Sequence, residues 1–192
     1  MRIISGKYKG RRLSPPKNLP VRPTTDMSKE ALFNVLNNHF SFDGLKILDL
    51  FAGTGNISFE FCSRGCENIT AIDENSGCVK YIKQVAEEFD FRIAALQTDV
   101  FKYIEKKNNI TYDIIFADPP YALPQITFEK LVLLIFEKEL LQEDGMMVIE
   151  HSKYTKLDHL INFSFKKTYG GSIFSFFEIN TIQDEETTQE ED

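Results

Sequence analysis

Residues 46–55 read KILDLFAGTG, and this stretch decides the fold of the 192-residue chain. Its apolar first half, residues 47–51, predicts a buried strand. Gly53 and Gly55 predict a tight turn, because glycine tolerates positive φ and lets a ligand approach the backbone without a Cβ in the way. We expect a helix bearing Ile57 and Phe61 to follow. A strand, a glycine turn and a helix in this order are typical of α/β folds that bind a nucleoside cofactor at the turn.

Downstream of the turn, strands and helices alternate. We predict strands over residues 69–72, 93–96, 112–117 and 146–150, and helices over residues 79–86, 100–104 and 128–141. Residues 163–169 and 173–179 are joined by Gly170-Gly171, which predicts an antiparallel hairpin. Nearly continuous apolar strands between helices indicate a parallel sheet covered on both faces. The predicted fold class is therefore α/β and Rossmann-like, mostly parallel, with a C-terminal antiparallel hairpin and a small N-terminal β appendage.

The segment before the sheet predicts the domain organisation. Residues 1–20 carry short β-like pieces around two glycines and then several prolines, which we interpret as a small hairpin and an extended linker. Thr25 or Asp26 can cap the helix that follows. Its expected apolar face consists of Met27, Ala31, Leu32, Val35 and Leu36. We divide the chain into a basic hairpin with its linker (residues 1–24), a main domain (25–182) and an acidic, disordered tail (183–192).

Acidic residues follow several predicted strands, at the edge where ligands bind in such folds. Asp73 is placed to accept the hydroxyls of a ribose, and Asp49 can pair with an amino group of the ligand. Asp99 can accept from an adenine amino group and also cap the next helix. The turn lacks the third glycine of G-x-G-x-x-G, which disfavours a pyrophosphate cofactor such as NAD. The predicted cofactor-binding residues are Asp49, Phe51, Gly53, Gly55, Asp73 and Asp99.

The fourth predicted strand runs into Asp118-Pro119-Pro120-Tyr121. The two prolines remove two N–H donors, which leaves the Asp118 carboxylate and the Pro119 carbonyl as acceptors. Two acceptors on the N–H groups of an exocyclic amine can orient its lone pair toward a methyl sulfonium, and a tyrosine face can stack the base. A tight turn that merely ends a strand is the alternative. With the glycine turn, the loop predicts methyl transfer from S-adenosylmethionine to nitrogen, with these four residues as catalytic.

Charge is distributed unevenly along the chain. The net charge is −7, but the last nine residues hold six acids and no base, which leaves the rest at −1. The first 25 residues hold seven bases and no acid, an excess that is typical of a phosphate-binding surface. A solvated basic hairpin without a partner explains the charge alone equally well.

Several classes of protein are disfavoured. Cys62, Cys66 and Cys78 have no framework or zinc-site spacing, so we expect reduced thiols and no metal. The longest apolar run has six residues, far below the ~20 of a membrane span, and the N-terminus does not resemble a signal peptide. We therefore predict a cytoplasmic protein that does not bind a membrane.

Three segments resemble the bacterial 16S rRNA guanine-N2 methyltransferases of the RsmD type. They read MRIISGKYKGRRL (residues 1–13), RPTTD (22–26) leading into KEALFN (29–34), and YGGS (169–172). The resemblance covers roughly residues 1–180 and implies a class I S-adenosylmethionine-dependent methyltransferase fold. It also implies a guanine of 16S rRNA as target, in the assembled small ribosomal subunit, and we expect a monomer. Met27-Ser28 and the acidic tail depart from the family pattern. The residues implied to contact RNA are Arg2, Lys7, Lys9, Arg11, Arg12, Arg22 and Thr24.

Other functions remain open at this point. The same loop serves enzymes that methylate adenine N6 in nucleic acid or a protein amide, although no separate domain for DNA readout is evident. An NAD-linked oxidoreductase is disfavoured by the missing third glycine. A non-catalytic RNA-binding module would fold without affinity for a methyl donor.

Overall fold

The computed structural model of the chain describes residues 1–19, 24–106 and 110–179. The strands within these ranges are β1 (Lys46–Leu50), β2 (Asn68–Asp73), β3 (Ile93–Gln97), β4 (Tyr112–Ala117), β5 (Leu141–His151), β6 (Phe163–Tyr169) and β7 (Ser172–Glu178). The helices are α1 (Asp26–His39), α2 (Asn56–Ser63), α3 (Ser76–Phe89), α4 (Val100–Glu105) and α5 (Gln125–Glu137). Arg22 and the acidic tail lie outside the described residues, as do the prolines at 20 and 23.

The strands form one sheet in the order β3-β2-β1-β4-β5-β7-β6. Strands β1 to β5 pair in parallel, and β7 pairs antiparallel with both β5 and β6. β6 and β7 are joined by the two-residue turn Gly170-Gly171, with Tyr169 opposite Ser172. The predicted α/β class, the parallel strands and the C-terminal hairpin are all confirmed.

Both faces of the sheet are covered, as continuous apolar strands require. Side chains of α4 and α5, among them Ile104, Phe128 and Ile135, pack on one face. Side chains of α1 and α2, among them Leu32, Phe33 and Phe61, pack on the other. Because neighbouring residues of a strand point to opposite faces, both cores draw on the same strands.

The prediction for the buried face of α1 was wrong at its first residue. Met27 is 63% exposed, whereas Ser28, Lys29, Leu32, Phe33 and Leu36 are buried. Thr25 caps the helix and accepts a hydrogen bond from the Ser28 N–H. The apolar pattern failed because a lysine, Lys29, occupies a core position, where Glu60 neutralises its charge.

The predicted boundary between α5 and β5 was also wrong. The helix begins at Gln125 and ends at Glu137, where residues 128–141 were expected to be helical. Glu139 adopts φ +52°, and the Leu140 N–H donates to the Ile135 carbonyl, which together terminate the helix. Leu141 then starts an 11-residue strand, longer than the predicted 146–150. Leu141 pairs with Tyr112, and the register shifts before Met146 pairs with Ile114, an irregularity that periodicity does not reveal.

The N-terminal segment, residues 1–13, is a loop closed by one antiparallel bridge between Arg2 and Arg12. Ile3 and Leu13 are buried against side chains of α2 and α3. The Glu60 carboxylate of α2 accepts from the backbone N–H groups of Ile4 and Ser5, at 2.8 and 3.0 Å. This segment is therefore part of the packed body, although its charged side chains remain outside.

No helix within the described ranges is long and apolar enough to cross a membrane. Cys62, Cys66 and Cys78 are free and buried. Burial raises the pKa of the Cys66 thiol to about 12 and that of Cys78 to about 11, so both are protonated near neutrality.

Candidate functional site

A cavity of about 740 Å³ opens at the carboxyl ends of the parallel strands. It lies between β1 and β4, where the strand order reverses, which is the usual ligand site of an open α/β sheet. The predicted residues that line it are Asp49, Phe51, Gly53, Asp73, Asp99, Asp118, Pro119, Pro120, Tyr121 and Thr24. The structure thus brings together all predicted catalytic residues and all predicted cofactor residues except Gly55.

The turn after β1 has a left-handed backbone at three positions. Phe51, Gly53 and Gly55 have φ values of 57°, 53° and 75°. A bulky residue with positive φ is uncommon, and such strain clusters at ligand sites. An ideal Cβ on Gly55 would lie 2.9 Å from both Ile82 Cγ1 and Phe59 Cζ, so packing as well as φ requires glycine there. Gly55 therefore does not line the cavity, and it is needed for the backbone conformation and the packing of the turn.

Asp73 holds the same turn in place. Its Oδ2 accepts from the Gly53 N–H and its Oδ1 from the Asn75 N–H, each at 2.8 Å. An ionised carboxylate has about four acceptor positions, so it can still take a ribose hydroxyl. Asp99 caps α4 and accepts from the Lys102 N–H at 2.9 Å, which confirms its predicted capping role. We refer to the surroundings of Asp49, Gly53, Asp73 and Asp99 as the donor half of the cavity.

Asp49 is a buried acid in the donor half, with 1% of its surface exposed. Its Oδ2 accepts from the hydroxyl and the backbone N–H of Ser58, at 2.5 and 3.2 Å. Burial raises the pKa of Asp49 to about 7, and these two hydrogen bonds oppose the rise. Protonated and ionised forms therefore coexist near neutrality, so a cationic ligand group would draw the carboxyl into its ionised form.

The Asp118–Tyr121 loop forms the other side of the cavity. The Asp118 N–H donates to the Leu50 carbonyl at 3.3 Å, and the Leu123 N–H donates to the Pro120 carbonyl at 2.9 Å. The first bond joins the loop to the end of β1, and the second closes a turn after the prolines. The Asp118 carboxylate and the Pro119 carbonyl are thus set beside the glycine turn, as the sequence predicts.

Two residues that sequence reasoning missed hold Tyr121. The Tyr121 hydroxyl lies 2.8 Å from Ser172 Oγ and 3.2 Å from Glu150 Oε1. Glu150 and Ser172 are buried and line the cavity. Burial raises the pKa of Tyr121, and the charges of Glu150 and Asp118 add to the rise. We refer to Asp118, Tyr121, Glu150 and Ser172 as the target half. The YGGS segment was a signal for Ser172, whereas none marked Glu150.

A buried polar cluster joins the N-terminal segment to the cavity wall. Lys29 Nζ lies 3.2 Å from Glu60 Oε2, 2.9 Å from Asn56 Oδ1 and 2.6 Å from the Arg2 carbonyl. Asn56 lines the cavity and donates to the Thr24 carbonyl at 3.2 Å. Burial lowers the pKa of Lys29, and Glu60 opposes this effect. The cluster anchors residues 1–13 and the start of α1 beside the glycine turn.

The predicted RNA-contacting arginines and lysines are exposed where the structure describes them, whereas Thr24 is partly buried in the cavity wall. Lys7, Lys9 and Arg12 lie on the surface of the N-terminal segment. Arg2 Nε lies 3.0 Å from Asp26 Oδ2, and the Arg11 guanidinium lies over the ring of Phe89. Met1 Sδ accepts from the hydroxyl of Thr54 in the donor half at 3.8 Å, whereas Lys7 and Arg11 lie at the ends of α2 and α3 that are remote from the cavity.

The donor half suits a nucleoside that presents hydroxyl and amino groups. Its three aspartates supply acceptors, and the Gly53 N–H, a potential phosphate donor, is engaged by Asp73. A pyrophosphate would meet carboxylates there, whereas ribose hydroxyls, an adenine amino group and a sulfonium would be stabilised. Within the described residues, no group of three or more His, Cys, Asp or Glu side chains is arranged to hold a metal ion.

Comparison with known proteins agrees with this geometry. The family model described as "Conserved hypothetical protein 95" matches residues 1–178. "Putative rRNA methyltransferase YlbH" of Bacillus subtilis is 33% identical over 177 residues, 88% of this chain and 94% of that protein. "Ribosomal RNA small subunit methyltransferase D" of Buchnera aphidicola (subsp. Acyrthosiphon pisum) is 33% identical over 153 residues, 79% of this chain and 78% of that protein.

A solved structure supports the predicted fold class. The 16S rRNA N2 methyltransferase RsmC of T. thermophilus, solved with AdoMet and guanosine, superposes with a TM-score of 0.67. The match covers 83% of this chain and 45% of that one, at 18% identity, so it concerns the fold. With the observed strand order, it confirms a Rossmann-like methyltransferase architecture.

Proposed function

The chain belongs to the Conserved hypothetical protein 95 family, and we propose that it transfers a methyl group from S-adenosylmethionine to the exocyclic N2 of a guanine in 16S rRNA. One observation carries the proposal: two acceptor-lined halves of one cavity meet where the strand order reverses. The names of the Bacillus and Buchnera relatives support rRNA as the substrate, and the second supports the small subunit.

The donor half would hold the cofactor through the predicted residues. Asp73 accepts from the ribose hydroxyls, Asp99 from the adenine amino group, and ionised Asp49 from the amino group of the methionine part. Gly53 and Phe51 bring the backbone close to the ligand, and Gly55 keeps the turn in shape. When bound, S-adenosylmethionine would supply a methyl carbon made electrophilic by its positively charged sulfur. The nitrogen lone pair would form the new N–C bond, and the sulfur would keep the electron pair of the broken S–C bond.

The target half would hold the acceptor base. Asp118 and the Pro119 carbonyl accept from the amine N–H groups, which directs the nitrogen lone pair at the methyl group, and Asp118 is placed to take the departing proton. Pro120 stiffens the loop, and Tyr121 stacks on the base. Such positioning applies to any exocyclic amine.

A second carboxylate favours guanine over adenine. Guanine presents two neighbouring donors, N1–H and N2–H, whereas adenine presents an acceptor beside its N6 amino group. Glu150 Oε1 lies 3.2 Å from the Tyr121 hydroxyl, and Asp118 lines the same cavity from the same loop as Tyr121. Two carboxylates can each accept from one of the two guanine donors, N1–H and N2–H. With adenine, one carboxylate would instead face the ring acceptor beside the N6 amino group, which is unfavourable. The guanosine bound by RsmC is consistent with this choice.

RNA would be held by the exposed bases of the N-terminal segment, Arg2, Lys7, Lys9, Arg11 and Arg12, together with Arg22 and Thr24. Such contacts neutralise phosphates, so affinity falls as salt rises. They also offset the acidic character of the whole chain, because a local positive surface is enough to bind a polyanion.

The experiment is methyl transfer from labelled S-adenosylmethionine to undermethylated small ribosomal subunits, with naked 16S rRNA and duplex DNA in parallel. We expect N2-methylguanosine in the subunit sample. Label in DNA, or recovered as N6-methyladenosine, would contradict the target and keep the donor. Binding of the donor without label in any nucleic acid would point to a protein amide, and absent donor binding would favour a non-catalytic RNA-binding module.

A further inference from the structure

The loop after β5 carries an aromatic ring that the packed body does not use. Tyr154 is 80% exposed, the largest exposed fraction among the large hydrophobic side chains in the described ranges. Lys153 Nζ lies 5.2 Å from the centre of its ring, and Lys156 is exposed two residues later. We refer to residues 153–156 as the Tyr154 loop. Leaving such a ring in water forfeits the free energy that its burial would contribute.

Although the Tyr154 ring is exposed, hydrogen bonds hold the backbone of its loop in place. The side chain of Gln125 donates to the Lys156 carbonyl at 2.5 Å and accepts from the Lys156 N–H at 3.0 Å. The Thr155 N–H donates to the Ser152 carbonyl at 3.2 Å, and Thr155 and Leu157 are buried. The backbone is thus fixed on both sides of the ring, which limits the entropy that binding a ligand would cost.

The Tyr154 loop stands at the ligand-binding edge of the sheet. β5 runs parallel to β4, so the loop leaves the same edge as the Asp118–Tyr121 loop. Gln125, which holds the Tyr154 loop, begins α5 only four residues after Tyr121. The N-terminal segment packs on α2 and α3, and its Met1 reaches Thr54 in the donor half. The Tyr154 loop therefore lies on the other side of the cavity, beyond the target half.

The Tyr154 loop itself carries two positive charges and no negative one. Asp158, the acid closest in sequence, lies 2.7 Å from Lys166, and Glu129 lies 3.3 Å from His159. Lys166 is thus paired with Asp158, and Lys153 and Lys156 carry the positive charge on both sides of the Tyr154 ring. A polyanion would be attracted to this side of the cavity.

We propose that the Tyr154 loop is a second RNA-binding surface, which holds a nucleotide next to the target guanine by stacking a base on Tyr154 and contacting phosphates with Lys153 and Lys156. This inference rests on the proposed function and deepens it. A guanine that enters the cavity must leave its stack, and the neighbouring base then loses a partner. An exposed aromatic ring beside lysines replaces that stacking and neutralises the flanking phosphates, the usual way of binding single-stranded nucleic acid.

Protein docking is the competing use of an exposed aromatic ring. Ile126, next to Gln125, is 69% exposed and would extend an apolar patch. A protein-binding patch would depend on Ile126 and change little with salt, whereas an RNA surface depends on the ring and the lysines and weakens with salt. The lysines on both sides of Tyr154 favour RNA.

The test uses the full chain and a fluorescein-labelled single-stranded RNA of mixed sequence, about 20 nucleotides long, which exceeds the site size of typical binding folds. Tyr154→Ala should weaken binding roughly tenfold, and Tyr154→Phe should restore it because the stacking face remains. The Lys153→Ala, Lys156→Ala double variant should lower the slope of log affinity against log salt by about 1.4, at about 0.7 for each phosphate contact. The matched control is Lys46→Ala with Lys106→Ala, two exposed lysines at the opposite edge of the sheet, which should change neither quantity.

The outcomes separate this inference from the proposed function. If the wild type methylates small subunits and binds the RNA, but Tyr154→Ala binds it equally well, the inference fails and the proposed function stands. If the Tyr154 and lysine variants behave as expected while no methylguanosine forms in any substrate, the surface stands and the methylation proposal fails. An equal loss in the Lys46 control, or a larger loss with Ile126→Ser than with Tyr154→Ala, would overturn the RNA surface.

Discussion

The donor half and the target half of the cavity are built in different ways. In the donor half, the aspartates bond to backbone groups close by, as Asp99 does with Lys102 and Asp73 with Asn75, and the longest of these bonds joins Asp73 to Gly53, 20 positions away. In the target half, Tyr121 is held by Glu150 and Ser172, 29 and 51 positions away. Short motifs therefore describe the first half almost completely, whereas the second depends on strands that meet only in the folded sheet.

The largest expected effect comes from the target half. Under the proposed function, Asp118→Ala should lower the turnover number by about 10²- to 10⁴-fold, because the amine loses the acceptor that orients it and takes its proton. Donor affinity, measured by calorimetry, should be nearly unchanged, because Asp118 faces the target. An equal loss of donor affinity would show that the two halves are not separable in function.

Asp73→Asn provides the matching change in the donor half. Donor affinity should fall by roughly 10- to 100-fold, since hydrogen bonds to a charged acceptor contribute about 1.5–3 kcal/mol. Asparagine has a single acceptor oxygen, so it keeps only one of the two backbone bonds that Asp73 accepts from Gly53 and Asn75, and the thermal midpoint should fall as well. Asp43→Asn, an exposed acid near the start of β1, is the control. Unchanged calorimetric affinity in the Asp73 variant would refute its assignment to the ribose.

The affinity for the methyl donor should depend on pH through Asp49. Because burial raises its pKa to about 7, the ionised form that pairs with an amino group accumulates as pH rises through that value. Donor affinity should therefore increase, by up to about tenfold, between about pH 6 and pH 8. In Asp49→Asn this increase should disappear from the calorimetric profile. A wild-type profile that is flat, or that falls over this range, would contradict the assignment.

The same pKa predicts a change in stability. The folded pKa lies above the ordinary aspartate value of 3.8, so the contribution of Asp49 is fully present below about pH 4 and is lost as pH rises to about 7. This loss is on the order of a few kcal/mol. The thermal midpoint of the wild type should therefore decline relative to that of Asp49→Asn across this window.

The smallest expected effect concerns the long-range bonds of the target half. Ser172→Ala removes one partner of the Tyr121 hydroxyl and leaves Glu150, so turnover should fall only about 2- to 10-fold. The Michaelis constant for RNA should rise, while donor affinity stays constant. Ser164→Ala, an exposed serine of β6, is the control. A loss of donor affinity in Ser172→Ala would contradict the division into two halves.

Particular residues show how far sequence reasoning reached. The strand–turn–helix order, the acids at the strand ends and the Gly170-Gly171 hairpin were predicted correctly, because each is a local pattern with one dominant physical cause. Met27 was placed in the core, where the structure puts Lys29. A buried lysine is acceptable only if a partner is present, and Glu60 lies 31 positions away on another helix.

The sequence by itself determined the order of elements, the class of fold and both cavity motifs, since hydrophobic periodicity and glycine or proline geometry act over a few residues. The tertiary structure alone decided which distant side chains complete the site. Glu150 and Ser172 reach Tyr121 because β5 and β7 pair with each other next to β4. Tyr154 lies beside the cavity because β5 ends at the same edge, and strand pairing between distant segments is set by the packing of the whole sheet.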